Sequence, residues 1–454
     1  MRQRRNVVPP PPATEPPPET APQPRGRRWE YVLSTIVLGG AAAIPLVISY
    51  DGYDHFRLPK ELLLYAVTIV TIAVAGVGLV LRHLEIGDAE RRKLRAIGIV
   101  VAAGVAWMLV SLAASRNRTL SIEAAIWVLA LVFFFLLAAR AANRVPLPLV
   151  AAALLLPALV NAVIVMLQAL KIWNPWVFPP DTPQRLMKNA LLGNPDDVAV
   201  YLITPALFAF AAAFTAARAR FVYAAAGVML LAGVLATETL SAILAFACGI
   251  GVLLVRRMTR VRSRITISVV AAVVIVLMLA YAPTRLRLAE IGTSLQRGEW
   301  GHVARGRIVP LAAAWQMFAD NPLAGVGPGC FKFEYMPYRV RVEHEHPRLA
   351  MVAPTEKVNF GEAHNDHAQI LAETGLPGFL AALAALVLLA RISLARPRED
   401  EDERGRLART LALPFAVMVA AVMIPQFPWH IAAPSTANVL VAACCFIWRS
   451  DDAV

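Results

Sequence analysis

Charge is scarce in this sequence. Asp, Glu, Lys and Arg make up 17% of its 454 residues, where a soluble protein carries about 25%. With 58% of residues hydrophobic, a water-soluble globule could not hide its apolar surface, and disordered or collagen-like classes are excluded as well. Cysteine is sparse too. Cys248, Cys444 and Cys445 fall inside apolar runs and Cys330 has no neighbour, so neither a disulfide framework nor redox chemistry is expected. What the chain has in abundance is long apolar runs, which make it an all-α polytopic membrane protein in the lipid bilayer.

A bilayer core takes about 20 apolar residues per helix. Runs of that kind lie near 31–49, 61–81, 96–114, 122–139, 147–170, 197–215, 220–236, 239–255, 265–282, 376–394, 408–424 and 434–448, which predicts about twelve transmembrane helices. Residues 1–28 hold two proline clusters and six arginines but no apolar face, so they are expected to form a disordered cytoplasmic tail. The first run lacks a cleavage site and reads as an uncleaved anchor. The expected organisation is a tail over 1–28, helices 1–9 over 29–282, a long extracytoplasmic loop over 283–375, and helices 10–12 over 376–454.

The net charge is +13, from 44 Lys and Arg against 31 Asp and Glu. The basic residues do not form a nucleic-acid patch. They sit in short segments between the apolar runs, as topology signals do. The tail, Arg82 to Arg95, Arg140 and Arg144, Arg218 and Arg220, Arg256 to Arg264, and Arg391 to Arg409 fall on one side. The other side's short loops hold only Arg57, Lys60, Arg116, Arg118, Lys171, Arg185 and Lys188. Both termini are therefore expected in the cytoplasm, with the long loop on the outer face.

Loops of more than eighty residues are uncommon unless functional. This one holds five of the eight histidines, His302, His344, His346, His364 and His367, together with many arginines. Ile308, Leu311, Trp315 and Phe318 recur at helical spacing, Pro310 suits a first turn and Asn321-Pro322 a stop, which predicts an amphipathic helix against the membrane surface or the bundle. Gly325-Val-Gly-Pro-Gly329 follows, but no strand precedes it as a nucleotide loop requires. A tight turn that lets backbone approach a ligand fits better.

Further on, Asn365 or Asp366 can cap a short helix that Gly375 and Pro377 end before the next span. That places His364 just before a helix N-terminus, a position attractive to phosphate, where the dipole keeps the imidazole neutral as a general base requires. His344-Glu-His346 and His364-x-x-His367 have metal-ligand spacing, but the first pair lies in a solvated charge run, and no metal is expected. A third element, Arg185, Lys188 and Gly193-Asn194-Pro195-Asp196, leads into a span on the same face as the histidines.

Taken in order, these residues resemble the O-antigen ligase and polymerase superfamily of membrane glycosyltransferases. The likeness rests on Gly193-Asn194-Pro195, Arg307, Asn321-Pro322-Leu323, Gly325 to Gly329, His364-Asn365 and Glu373-Thr-Gly375-Leu-Pro377-Gly378. Phe427-Pro-Trp-His430 before the last run is also similar to the family's ending. Asp196 stands where the family usually has Asn, Leu311 where it often has Trp, and Glu238-Thr-Leu-Ser241 where it often has Ser-Arg.

The resemblance implies a GT-C-like fold and transfer of glycan from an undecaprenyl-diphosphate carrier to a glycolipid acceptor on the periplasmic face of a bacterial inner membrane. It implies neither metal, cofactor nor nucleotide sugar. By position Arg307 corresponds to a diphosphate-holding arginine and His364 to the histidine needed for transfer. Arg185 and Lys188 compete for a second diphosphate contact, while Asn194, Gly325, Gly327, Gly329 and Asn365 support the site. Within this chemistry a ligase and a polymerase are close alternatives. A solute transporter is the alternative from another class, disfavoured because the span centres carry essentially no charge and no internal repeat is evident.

Overall fold

The computed structural model describes residues 25–257, 282–349 and 360–449, apart from residues 52, 53, 86, 304, 305, 398 and 400. The expected tail up to residue 24 and nearly all of the apolar run at 265–282 lie outside the described residues. Among the described residues the chain is helical, without strands.

Eight helices come first: α1 (Arg25–Ala43), α2 (Arg57–Val80), α3 (Asp88–Ala113), α4 (Arg118–Arg144), α5 (Leu147–Ala169), α6 (Pro195–Thr215), α7 (Arg220–Ala236) and α8 (Leu240–Arg257). The segment expected as a loop contains α9 (Ala282–Arg297), α10 (Trp300–Val303), α11 (Ile308–Asp320) and α12 (Phe331–Glu345). Then follow α13 (Asp366–Ile392), α14 (Glu403–Val422) and α15 (Ala432–Trp448).

Eight of the described helices are long and apolar enough to cross a bilayer: α2 to α6, α8, α13 and α14. Of the remaining expected spans, α7 and α15 are shorter apolar helices. The first, α1, opens on Arg25, Arg27, Arg28 and Glu30.

Two helices form the centre. In α6 the side chains from Asp197 to Ala209 are all buried, and α15 is buried along almost its whole length. Small residues allow close approach there, as at Gly233 of α7, where a Cβ would lie 2.8 Å from the Ala162 side chain. Large apolar side chains such as Ile69, Val80, Ile99, Phe221 and Val222 point outward. An exposed apolar belt of that extent suits contact with lipid and not with water.

One end of the bundle gathers the helix ends that matter for chemistry. Lys60, wholly buried in the second turn of α2, donates to the carbonyls of Val47 (2.7 Å), Phe56 (2.9 Å) and Leu191 (2.8 Å). It ties the α1–α2 connection to the segment before α6. A second small core sits at this end: Val309, Ala313, Ala314 and Met317 of α11 pack with Phe331, Tyr335, Tyr338 and Val342 of α12 and with Ala372 of α13. The helix expected over 308–320 thus packs on the bundle through Val309, Ala313, Ala314 and Met317, while Leu311 and Trp315 are exposed, as a helix at the membrane surface allows.

The short helix expected after Asn365 does end at Gly375, whose backbone leaves helical values (φ 69°, ψ −172°), and the next span follows at once, so that α13 is two helices joined at a kink. The amide of Leu376 donates to Pro322 O at 2.9 Å across this bend, and a Cβ at Gly375 would collide with the carbonyl of Leu323. Gly375→Ala is therefore expected to cost more than about 2 kcal/mol. Thermal unfolding of the detergent-solubilised protein checks this, with Gly98→Ala, whose Cβ would meet nothing within 4 Å, leaving the melting temperature essentially unchanged.

Candidate active site

The site is built around the start of α6. Asn194 caps this helix, its Oδ1 accepting from the Asp196 amide at 2.9 Å, and Pro195 occupies the first helical position. The cap leaves Asp196 and Asp197 in the first turn, where the helix dipole favours carboxylates. Asp196 accepts from Arg185 through Oδ1 and from Arg307 Nη2 through Oδ2 at 3.1 Å. Thr239 Oγ1, from the turn between α7 and α8, lies 3.0 Å from Asp196 Oδ1. Arg307 also donates to Pro425 O at 3.3 Å. Three side chains, from residues 185, 239 and 307, thus meet at one carboxylate.

Asp197 takes a third arginine. Arg57 Nη2 lies 3.2 Å from its Oδ2, and the same guanidinium stands 5.6 Å over the Phe427 ring. The three side chains are 29% (Arg185), 30% (Arg307) and 33% (Arg57) exposed, so each is fixed by a carboxylate yet keeps an edge open to a ligand. Lys188 does not join them. It is 5% exposed and pairs with Glu238 at 2.7 Å.

His364 completes the group from the other side. Its ring sits edge-on between Phe360, with centroids 5.5 Å apart, and Phe427, 4.9 Å apart. Its backbone is left-handed, with φ 52°, and its Nδ1 is buried without a hydrogen-bond partner. Burial pushes its pKa down to about 4, Arg307 and Arg57 push in the same direction, and Asp196 opposes them. The imidazole is neutral, as the sequence leads one to expect, but burial and arginines are the causes here. Asn365 caps α13, its Oδ1 accepting from Ala368 N at 2.9 Å. His367 turns away to Ala420 O at 3.0 Å, and His344 and His346 are exposed at the far end of α12.

The glycine turn approaches protein backbone. Gly325, Gly327 and Gly329 all have positive φ. The Val326 amide donates to Ala372 O at 2.9 Å and the Gly327 amide to Glu373 O at 3.0 Å. The Glu373 carboxylate accepts from the amides of Gly329 (2.8 Å) and Phe331 (3.2 Å). The glycines are needed because added side chains would strike α13, Ser115 and Ala124.

Two parts of this arrangement were not singled out from the sequence. Arg57 entered only as one of the few basic residues of the outer short loops, and a partner 140 residues away leaves no local signal. His430 read only as part of a family-like ending. It pairs with fully buried Asp366, Nδ1 to Oδ1 at 2.8 Å. Burial is the largest single influence and would lower its pKa, but the charge and hydrogen bond of Asp366 together with Glu373 and Glu362 outweigh it and hold the pKa up to about 9.

Residues 224–383 match the family model described as O-antigen ligase, which supports the resemblance to the O-antigen ligase superfamily read from the motifs. The match takes in Arg307, Gly325 to Gly329 and His364. Arg57, Arg185, Asp196 and His430 lie outside it. No curated protein matches the chain.

Because the folded-state pKa of His430 lies above its ordinary value of 6.5, the stability its ion pair supplies is fully present below pH 6.5 and fades as pH rises towards 9. Melting temperatures of wild type and His430→Gln should therefore differ most near about pH 6 and converge above about pH 9. An equal gap at both ends would remove the ion pair from the stability of this end.

Proposed function

We propose that the protein is a glycosyltransferase of O-antigen ligase type that moves glycan from an undecaprenyl-diphosphate carrier to an acceptor hydroxyl at the outer face of the bacterial inner membrane. The observation that carries this reading is the convergence of Arg185, Arg307 and Arg57 on two adjacent carboxylates, with a neutral histidine beside them. Lipid A-core or a similar glycolipid is the acceptor of first choice. A polymerase differs only in using another carrier-linked glycan there.

The anomeric carbon of a carrier-linked glycan already bears a good leaving group. The work left to the protein is to hold the diphosphate, stabilise the charge it gains as the bond breaks, and place the acceptor hydroxyl. Arginine suits the diphosphate because its planar fork pairs bidentately with phosphate oxygens. Asp196 and Asp197 hold three such forks in place before the ligand arrives, so less ordering remains to be done on binding.

His364 is assigned the acceptor's proton. With Arg307 and Arg57 unmasked it is a weak base. A diphosphate bound between the arginines would cancel part of their field and raise the imidazole's affinity for a proton. Donor binding thus strengthens the base at the moment it is needed, and the hydroxyl oxygen attacks as its proton passes to the ring.

The first test is the envelope-glycan profile of a null strain complemented with wild type or His364→Ala. Polymer stranded on the carrier in the mutant is the expected result and marks a ligase, single unpolymerised repeats mark a polymerase, and an unchanged profile removes His364 from the chemistry. The second test is kinetic. The kcat/KM for donor, which reports the free enzyme, should show no acidic limb from this group above about pH 5, because its pKa lies at about 4. A limb centred near the ordinary 6.5 would contradict the buried, arginine-flanked ring. Arg307→Ala should reduce transfer at least about a hundredfold, as loss of a charge-stabilising donor does, with Arg307→Lys recovering little of it.

A further inference from the structure

Far from the arginine site lies a second cluster of arginines that the transfer chemistry leaves unused. Helix α8 begins beside Asp196, where Thr239 makes its contact. It ends at Arg256 and Arg257, about 27 Å away for its 18 residues at 1.5 Å each. That rise nearly matches a hydrocarbon core of about 30 Å, so the two arginines stand at the opposite surface of the bilayer. Both are exposed.

They reach across the ends of neighbouring helices. Arg256 donates through Nη2 to the carbonyl of Ser393, the residue that caps the C-terminus of α13. Arg257 donates through Nη2 to Phe214 O, in the last turn of α6, at 3.1 Å, and to Thr410 Oγ1 of α14 at 3.4 Å. Arg406 and Arg409 of α14 complete the cluster. Arg409 acts with like charge on both Arg256 and Arg257, and Arg406 acts on Arg257.

Four like charges from two helices thus stand together, and one of them has a counter-ion. Glu401 takes up Arg409 through both its oxygens, Oε2 from Nη2 at 2.6 Å and Oε1 from Nε at 3.1 Å. Two further acids at the start of α14 are engaged elsewhere: Asp402 caps the helix on the Gly405 amide, and Glu403 acts on Tyr223 of α7. Among the described residues no carboxylate pairs with Arg256, Arg257 or Arg406, whose acceptors are carbonyls and one hydroxyl.

Capping helix C-termini suits arginine, because the dipole favours cations there. It leaves most of each guanidinium unengaged. A guanidinium carries five N–H groups, and these contacts come from Nη2 alone in Arg256 and Arg257. The remaining donors, on adjacent forks of one sign, match an anion with several oxygens, as phosphate is.

The surroundings decide which phosphate. Phe214, Val255 and Leu394 are exposed apolar side chains beside the cluster, and the Phe214 ring centre lies 6.0 Å from Arg257 Cζ. A soluble phosphate ester would cover none of that surface, whereas a phospholipid covers it with its chains. A zwitterionic headgroup brings a cation of its own into the cluster, which disfavours it.

We propose that Arg256, Arg257 and Arg406 bind the phosphate of an anionic phospholipid in the leaflet opposite the active site. The lipid supplies the counter-ion that the protein lacks there and ties the end of α8 to α14. The site does not depend on the transferase reading.

The test uses the full chain in nanodiscs of equal parts phosphatidylglycerol and phosphatidylcholine, with one lipid at a time carrying a diazirine at the headgroup end of a chain. Labelled peptides are mapped by mass spectrometry. The phosphatidylglycerol probe should label the C-terminal ends of α6, α8 and α13 at least about tenfold more than the phosphatidylcholine probe. Arg256→Gln with Arg257→Gln should bring that ratio to about two or below. Arg406→Gln, at an exposed residue bound to a single carbonyl, should lower it about threefold and serves where the double variant fails to fold.

The control, Arg91→Gln with Arg95→Gln, removes the same charge from exposed positions at the start of α3 and should leave the ratio unchanged. A ratio near one in wild type would overturn the proposal. An equal fall in both double variants would do so too, since it would mean attraction by overall surface charge alone. Loss of labelling on adding excess glycerophosphoglycerol, the same headgroup without chains, would make the cluster a site for soluble phosphate esters and overturn the lipid assignment.

Discussion

The carboxylate of Asp196 is the interaction on which this end of the molecule depends. Two largely buried guanidinium groups placed together repel each other and lose hydration, a cost that only a paired anion offsets. Asp196 supplies that anion to Arg185 and Arg307 at once, and Asp197 does the same for Arg57. Both aspartates lie at a helix N-terminus, where the dipole stabilises their charge. Counted among themselves, three arginines against two aspartates leave one positive charge, which Glu362 and Asp54 answer from a distance at Arg57. The cluster is therefore stable enough to preform.

Holding His364 in place falls to the residues around the start of α13. Asn365 caps α13, and Asp366, the first residue inside it, is clamped by His430 and by the Trp429 amide. One turn beyond Gln369, Glu373 binds the turn that enters α12. The first half of α13 is thus pinned at both ends, and this anchored helix start sets the left-handed backbone at His364. Sub-ångström placement of a proton acceptor needs such a frame, since small misplacement at a reacting group is costly. The glycine turn belongs to this frame.

Much of the fold was legible because bilayer physics writes itself into sequence. Apolar runs, basic flanks, Asn-Pro at a helix start and Asn365 before α13 each have a local cause, and the described helices track them closely. The site was legible as far as its motifs were contiguous: His364, Arg307 and Arg185 could be chosen because each stands near a recognisable turn or cap. What stayed hidden depends on distance in sequence. Nothing near Arg57 announces Asp197, nothing near Lys188 shows that it ends buried on Glu238, and Asp366 meets His430 only after α13 and α14 have packed. Which face of α11 would meet the bundle was likewise open, since periodicity marked Leu311 and Trp315 while the packed side holds Val309, Ala313, Ala314 and Met317.

The electrostatic design comes from placing one neutral base between fields of opposite sign. Burial is the larger cause of the low basicity of His364, Arg307 and Arg57 add to it, and Asp196 opposes them. In the transferase reading proposed above, an anionic donor entering first would lift the arginines' share of that suppression, and only then would proton transfer from an acceptor hydroxyl become favourable. An acceptor entering first finds a weak base and no leaving group. In that reading the arginines' charge orders the two substrates in time, and water arriving without a donor would meet a histidine too weakly basic to activate it.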